Sequence, residues 1–206
     1  VGAPFEIVVI SPPEDLSGEG AIVNELFRAG LTRFYLRKGG VSRGELVSYI
    51  GAIEPSFLGR VVIGSHFELI DEFGLGGAHL PTEARLNKSI FAQWVGRRTA
   101  EGKRLSTSVH SADELTALGA NFDFTFFSPV FGSISKGLPR GGFTDGELRE
   151  AACGGVNAVY ALGGISRETI RGAQDLGFSG CGVIGAVWES SDPVAAFRGL
   201  QREVTG

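Results

Sequence analysis

Apolar and polar positions follow two rhythms along this chain, and the two rhythms take turns. Short apolar runs bounded by glycine or charged residues read as buried strands, and the stretches between them carry apolar residues at helical spacing. The first strand is predicted over Phe5–Ile10 and its helix over Asp15–Ala29, with Ile22, Val23, Leu26 and Phe27 on one face. Strand Thr32–Leu36 precedes helix Arg43–Ile53, and strand Arg60–Ile63 precedes a short helix over Glu68–Phe73. Strand Gly77–Leu80 is followed by helix Ile90–Ala100, whose apolar face is Phe91, Trp94 and Val95. The second half repeats the pattern: strand Arg104–Val109 with helix Ala112–Leu118, and strand Asp123–Phe127 with helix Asp145–Ala152. Strand Asn157–Leu162 with helix Arg167–Leu176, then strand Gly180–Ile184 with helix Pro193–Val204, complete it.

A helix between every pair of strands makes the strands parallel. Eight such units predict an α/β fold, a closed (βα)8 TIM barrel forming a single domain over residues 1–206, with an open doubly wound sheet as the alternative. Gly30, Gly119 and Gly177 each stand between a helix and the next strand, where a left-handed cap residue is needed. In a barrel the chemistry belongs at the C-terminal strand ends. The segment Ser128–Phe143 follows strand six without helical pattern, so it is expected to overhang that mouth.

Composition narrows the function classes. Among 206 residues, 43% are apolar and 20% charged, as in a globular protein with a sizeable core. The net charge of −4 offers no basic face for nucleic acid, and no apolar run is long enough for a membrane span. Val1-Gly2-Ala3-Pro4 lacks the features of a signal peptide. Cys153 and Cys181 have neither metal-ligand spacing nor partners for a disulfide framework, and Cys181 falls in an apolar strand as a core thiol. A cytoplasmic protein is the expectation. The 32 glycines are too many for packing alone and point to tight turns or close ligand approach.

Three segments suit a phosphate. After strand seven, Leu162-Gly163-Gly164-Ile165-Ser166 exposes backbone N–H groups; after strand eight, Ile184-Gly185-Ala186 lets a ligand approach the backbone. Each motif alone also fits a plain tight turn, but loops seven and eight together form the recurrent phosphate site of barrels. In the loop after strand six, Ser133, Ser135 and Lys136 could wrap phosphate oxygens, although a solvated loop has the same composition. Arg37, ending strand two, suits phosphate or carboxylate recognition or a surface ion pair, and Lys38 beside it is expected to be solvated. His66, His79 and His110 fall near strand ends. His66 is the leading acid–base candidate and His110 the second, while His79 is expected to be packed or hydrogen-bonded. No spacing supports a metal site built from histidines.

These motifs together resemble the thiamine phosphate synthase/TenI family over nearly the whole chain. Phe34-Tyr35-Leu36-Arg37 is similar to the family's Q-L-R-E-K, Val62–Leu69 to I-I-N-D-R-V-D-L, and Gly77–Leu80 to G-V-H-L. Ser108-Val109-His110-Ser111 resembles S-x-H-[ST], and Ser128–Lys136 resembles G-P-[IV]-[FY]-x-T-x-T-K. Ala161–Ile165 and Gly182–Val187 match the last two motifs. The resemblance implies a TIM barrel enzyme of thiamine biosynthesis. Its synthase members join hydroxymethylpyrimidine diphosphate to thiazole phosphate, release diphosphate with Mg2+, and pass through carbocation character at the pyrimidine methylene. TenI-type members are thiazole tautomerases, and a non-catalytic thiazole phosphate binding or regulatory protein is the third reading. The resemblance implies a phosphate site at Gly163, Gly164, Ile184 and Gly185. It further implies a diphosphate contact from Arg37, phosphate or diphosphate contacts from Ser133, Ser135 and Lys136, a pocket role for Ser108, and a homodimer. Departures stand beside it. Tyr35 replaces the family Gln, Gly39 its Lys, Gly64-Ser65 its metal-binding Asn-Asp, and Ala84, next to Glu83, its second metal Asp. Pro129 stands where the TenI type has its proposed catalytic His.

Overall fold

The computed structural model describes residues 4–13, 18–132 and 142–205. Eight strands form the sheet: β1 (Glu6–Ile10), β2 (Phe34–Leu36), β3 (Val61–Ile63), β4 (Gly77–Leu80), β5 (Arg104–Val109), β6 (Phe124–Phe127), β7 (Ala158–Leu162) and β8 (Gly180–Val183). They pair in parallel and in chain order, and β8 returns to β1 with Val8 opposite Gly182. The predicted TIM barrel is therefore the observed one, and the open sheet is excluded.

The helices are α1 (Glu19–Arg28), α2 (Arg43–Gly51), α3 (Leu69–Phe73), α4 (Thr82–Leu86) and α5 (Lys88–Glu101). The second half adds α6 (Ala112–Ala117), α7 (Asp145–Gly154), α8 (Ile170–Asp175), α9 (Gly185–Trp188) and α10 (Pro193–Thr205). Side-chain caps set several starts. Ser42 with Glu45, and Thr144 with Glu147, close reciprocal capping boxes on α2 and α7. Asn87 accepts from the N–H groups of Ser89 and Ile90, so α5 begins ahead of its first apolar residue. The predicted cap glycines are left-handed, with φ of +99° at Gly30, +63° at Gly119 and +96° at Gly177. The expected start of the first helix at Asp15 lies outside the described residues. None of the helices among the described residues is long and apolar enough to cross a membrane.

Strand alternation divides the core in two. Outward residues such as Val9, Phe34, Ile63 and Val183 pack under the helices, and Cys181 is buried there as expected. Inward residues Val8, Ile10, Tyr35, Val62, Phe124, Phe126 and Tyr160 fill the barrel. Gly182 belongs to this inner set because a Cβ there would stand 2.8 Å from the Phe126 ring. At the N-terminal end, Glu6 accepts hydrogen bonds from Arg33, Thr32 and Tyr160. Arg33 in turn lies 4.9 Å above the Phe124 ring. Burial alone would raise the Glu6 carboxyl, but those bonds outweigh it and hold it below the usual range. This cluster plugs the barrel floor and leaves the C-terminal end for ligands.

The expectation for Lys38 is overturned. Alternation at the end of β2 sends Arg37 into the mouth and Lys38 outward under α1, where only 6% of it is exposed. Its Nζ lies 2.8 Å from Glu19 Oε2, and Tyr49 donates to the same carboxylate. Glu19→Ala removes that buried partner. It is expected to destabilise the protein by about 3 kcal/mol, a drop in Tm of roughly 6–12 °C at this chain size, readable in a thermal melt.

Candidate active site

Two adjoining cavities, of about 820 and 360 Å³, open at the C-terminal strand ends and share Arg37 and Ile184 in their walls. The larger is built mainly by the loops after β7 and β8. β7 runs into Gly163 and Gly164, whose φ angles are +96° and +64°. The chain leaves β8 at Ile184 and enters the one-turn helix α9 at Gly185. The backbone N–H groups of Gly163, Gly164, Ile165, Gly185 and Ala186 donate to no protein acceptor among the described residues. Two strand ends thus point free donors at one space, the pattern of an oxyanion or phosphate nest.

The glycine pair has a second duty. The loop after β6 continues the sheet past the rim, with Val130 N–H bonded to Leu162 O at 2.9 Å and Phe131 N–H to Gly163 O at 3.1 Å. A Cβ on Gly164 would meet Gly132 O and Phe131 O at 2.8 Å. The tight-turn reading of this motif therefore holds. The glycines make a tight passage, and that passage shapes the nest.

Arg37 faces the nest across the larger cavity, and its side chain makes no hydrogen bond or ion pair among the described residues. Its backbone N–H donates to Ser11 Oγ at 2.9 Å, which ties β2 to β1 beneath it. Lys38 also borders the smaller cavity, but its charge is matched by Glu19. Sequence reasoning passed over Ser11 and Glu189, since neither sits in a glycine-rich or basic motif, whereas Ser128, which opens the loop motif after β6, lines the larger cavity. Glu189 follows α9, and its carboxylate oxygen lies 2.8 Å from where a Gly185 Cβ would be. It therefore sets a negative charge beside the nest. Glu189→Gln is expected to tighten inorganic phosphate binding roughly three- to tenfold at low salt, with the gain shrinking as salt is added. Calorimetry at two ionic strengths measures it.

The candidates do not all converge. Gly163, Gly164, Ile184, Gly185 and Arg37 line one cavity. Ser108 stands lower, half-buried, with Oγ 3.2 Å from His79 Nε2. His79 is packed and hydrogen-bonded as expected. Burial, with the Arg37 charge second, pushes it down to about 3, so it is neutral. His66 has φ of +49° in the turn after β3, with Nδ1 3.3 Å from Glu68, and borders neither cavity. His110 lies at the rim, with Nδ1 2.9 Å from the carbonyl oxygen of Ser128, a residue of the larger cavity. A carbonyl only accepts, so Nδ1 carries a proton, and in the neutral ring Nε2 is the nitrogen with the lone pair. Ser133, Ser135 and Lys136 lie outside the described residues.

The family model described as thiamine monophosphate synthase matches residues 7–187. This chain belongs to the thiamine monophosphate synthase family. Among relatives, the thiamine-phosphate synthase of Bordetella pertussis is 28% identical over 186 residues, covering 86% of this chain and 84% of that protein. The thiamine-phosphate synthase of Chlamydia caviae is 25% identical over 212 residues, covering 97% and 95%. A thiamine phosphate pyrophosphorylase structure from Bacteroides thetaiotaomicron matches with a TM-score of 0.79 at 26% identity, over 98% of each chain. One from Pyrococcus furiosus shares the fold with a TM-score of 0.76 at 20% identity, over 98% of this chain and 96% of that one.

For a synthase of this family the resemblance implied Mg2+, so the donor set matters. Gly64 and Ser65 line the smaller cavity where an Asn-Asp pair was expected, and Ala84 sits within α4. Among the described residues no three His, Cys, Asp or Glu side chains converge. Mg2+ favours carboxylate oxygens, and a serine hydroxyl with main-chain groups does not fit it.

Proposed function

We propose that this chain binds thiazole phosphate in the larger cavity and carries out the family's coupling reaction, forming thiamine phosphate from hydroxymethylpyrimidine diphosphate. The observation that carries the reading is the convergence of free N–H groups after β7 and β8 on a space walled opposite by Arg37. The N–H groups of Gly163, Gly164, Gly185 and Ala186 take the thiazole phosphate. Arg37, between the two cavities, is placed to hold the diphosphate and balance its charge as it leaves, which is where such a reaction needs positive charge. Ser133, Ser135 and Lys136 are expected to add donors to the same group. Cys153 and Cys181 are free thiols, which suits the cytoplasm, where we place the protein.

A second reading, a thiazole tautomerase, is favoured by the His110 geometry and by the replacement of the family's metal-binding acids by Ser65 and Ala84. His110 Nε2 is an available base beside the cavity wall. Incubation of the pure protein with both synthase substrates and Mg2+ separates the two. Thiamine phosphate formation supports coupling. Tautomer turnover without thiamine phosphate, lost in His110→Ala, would replace the first reading by the second. Absence of thiazole phosphate binding in calorimetry defeats both.

A further inference from the structure

Four polar side chains cross the barrel interior in an unbroken line. Tyr35 Oη is 3.2 Å from Ser106 Oγ, Ser106 Oγ is 3.0 Å from His79 Nδ1, and His79 Nε2 is 3.2 Å from Ser108 Oγ. Tyr35, Ser106 and His79 are buried, and Ser108, at the upper end of β5, is half-buried toward the mouth. Aromatic packing fixes the line, because Tyr35 stands edge-on to His79, Phe124 and Phe126.

Hydrogens along such a line can point only two ways. A neutral imidazole has one donor and one acceptor nitrogen. Suppose Nδ1 carries the proton and donates to Ser106. Ser106 must then give its own hydrogen to Tyr35, which leaves the Tyr35 hydroxyl hydrogen with no acceptor among the described residues. If Tyr35 also donates to Ser106, the Ser106 hydrogen is the one stranded. Either arrangement buries an unpaired hydroxyl donor, which is costly. In the opposite direction Tyr35 donates to Ser106, Ser106 donates to Nδ1, and Nε2–H donates to Ser108. Every buried donor is then satisfied, and the only hydrogen left over is that of Ser108, at the mouth.

We infer that Tyr35, Ser106 and His79 form a one-way relay that holds His79 as the Nε2–H tautomer and leaves the Ser108 hydroxyl free to donate to a ligand. These three are positioning residues and touch no ligand themselves. A donor at Ser108 recognises an acceptor atom on the ligand body, such as a ring nitrogen or a carboxylate oxygen, as distinct from its phosphate. That last step rests on the reading that thiazole phosphate occupies the mouth.

Nitrogen-15 spectra of histidine-labelled protein test the relay, with His66→Gln and His110→Gln variants assigning the signals. The Nε2–H form of His79 is expected to outweigh the other at least about tenfold. Predominance of Nδ1–H overturns the inference. Ser106→Ala is then expected to weaken thiazole phosphate binding roughly three- to tenfold while leaving inorganic phosphate binding unchanged. Equal losses for both probes, or none for either, would reduce Ser106 to a packing role. The spectra need no ligand, so they decide the relay even if that variant does not fold. They also decide it if thiazole phosphate does not bind, a result that counts against the function proposed above.

Discussion

Arg37→Ala is expected to weaken binding of inorganic diphosphate by roughly a hundredfold while leaving the melting temperature nearly unchanged. The two halves of that result come from one fact. The Arg37 side chain makes no bond to protein among the described residues, so its removal breaks nothing inside the fold. A guanidinium gives an anion charge-assisted bonds worth about 1.5–3 kcal/mol each, and the hundredfold figure, about 2.8 kcal/mol, corresponds to the net loss of one of them. Lys38 cannot replace it, since β2 turns that side chain away to Glu19. Arg37→Lys should recover only part of the loss, because an ammonium cannot make the paired contact. Calorimetry and a thermal melt on the same samples check both halves. A wild-type affinity in Arg37→Ala would remove the residue from the site.

Gly164→Ala is expected to cost both stability and binding. At φ of +64° an alanine is strained by about 1 kcal/mol or more, and its Cβ would meet the Gly132 and Phe131 carbonyl oxygens at 2.8 Å. Those atoms are backbone, so no side-chain rotation relieves the contact. The strip Val130–Phe131 must then lift off β7, and the free N–H groups lose their common aim. A total of about 2–4 kcal/mol follows, with thiazole phosphate binding weakened at least tenfold. The melt and calorimetry measure these separately. Gly39→Ala, where a Cβ meets nothing within 4 Å, is the control expected to change neither.

The barrel was legible in the sequence because periodicity is a local property and eight repeats reinforce one another. The misreadings share a physical origin. The helices α4 and α9 and the 3-10 turn at Pro55–Arg60 are too short to show a full apolar period. α5 starts early because of the Asn87 side chain, which an apolar pattern does not register. Lys38 looked solvated because its partner Glu19 is 19 residues away and is brought beneath it only by the docking of α1. The glycines after β7 and β8 were readable as a motif, since positive φ or close approach demands glycine there. Glu189 and Ser11 were not, because an isolated acid or serine carries no pattern until the strand ends are gathered. The histidines divide in the same way. The packed state of His79 followed from its place inside a strand, whereas the separation of His66 from both cavities depends on a turn that the sequence does not specify.

The Glu6–Arg33–Tyr160 plug has a kinetic consequence. With the floor closed by that cluster and the axis filled by Phe124 and Phe126, the barrel is a blind well with one opening. Every ligand of the mouth must therefore arrive and depart through the C-terminal face alone, past the same rim that holds it.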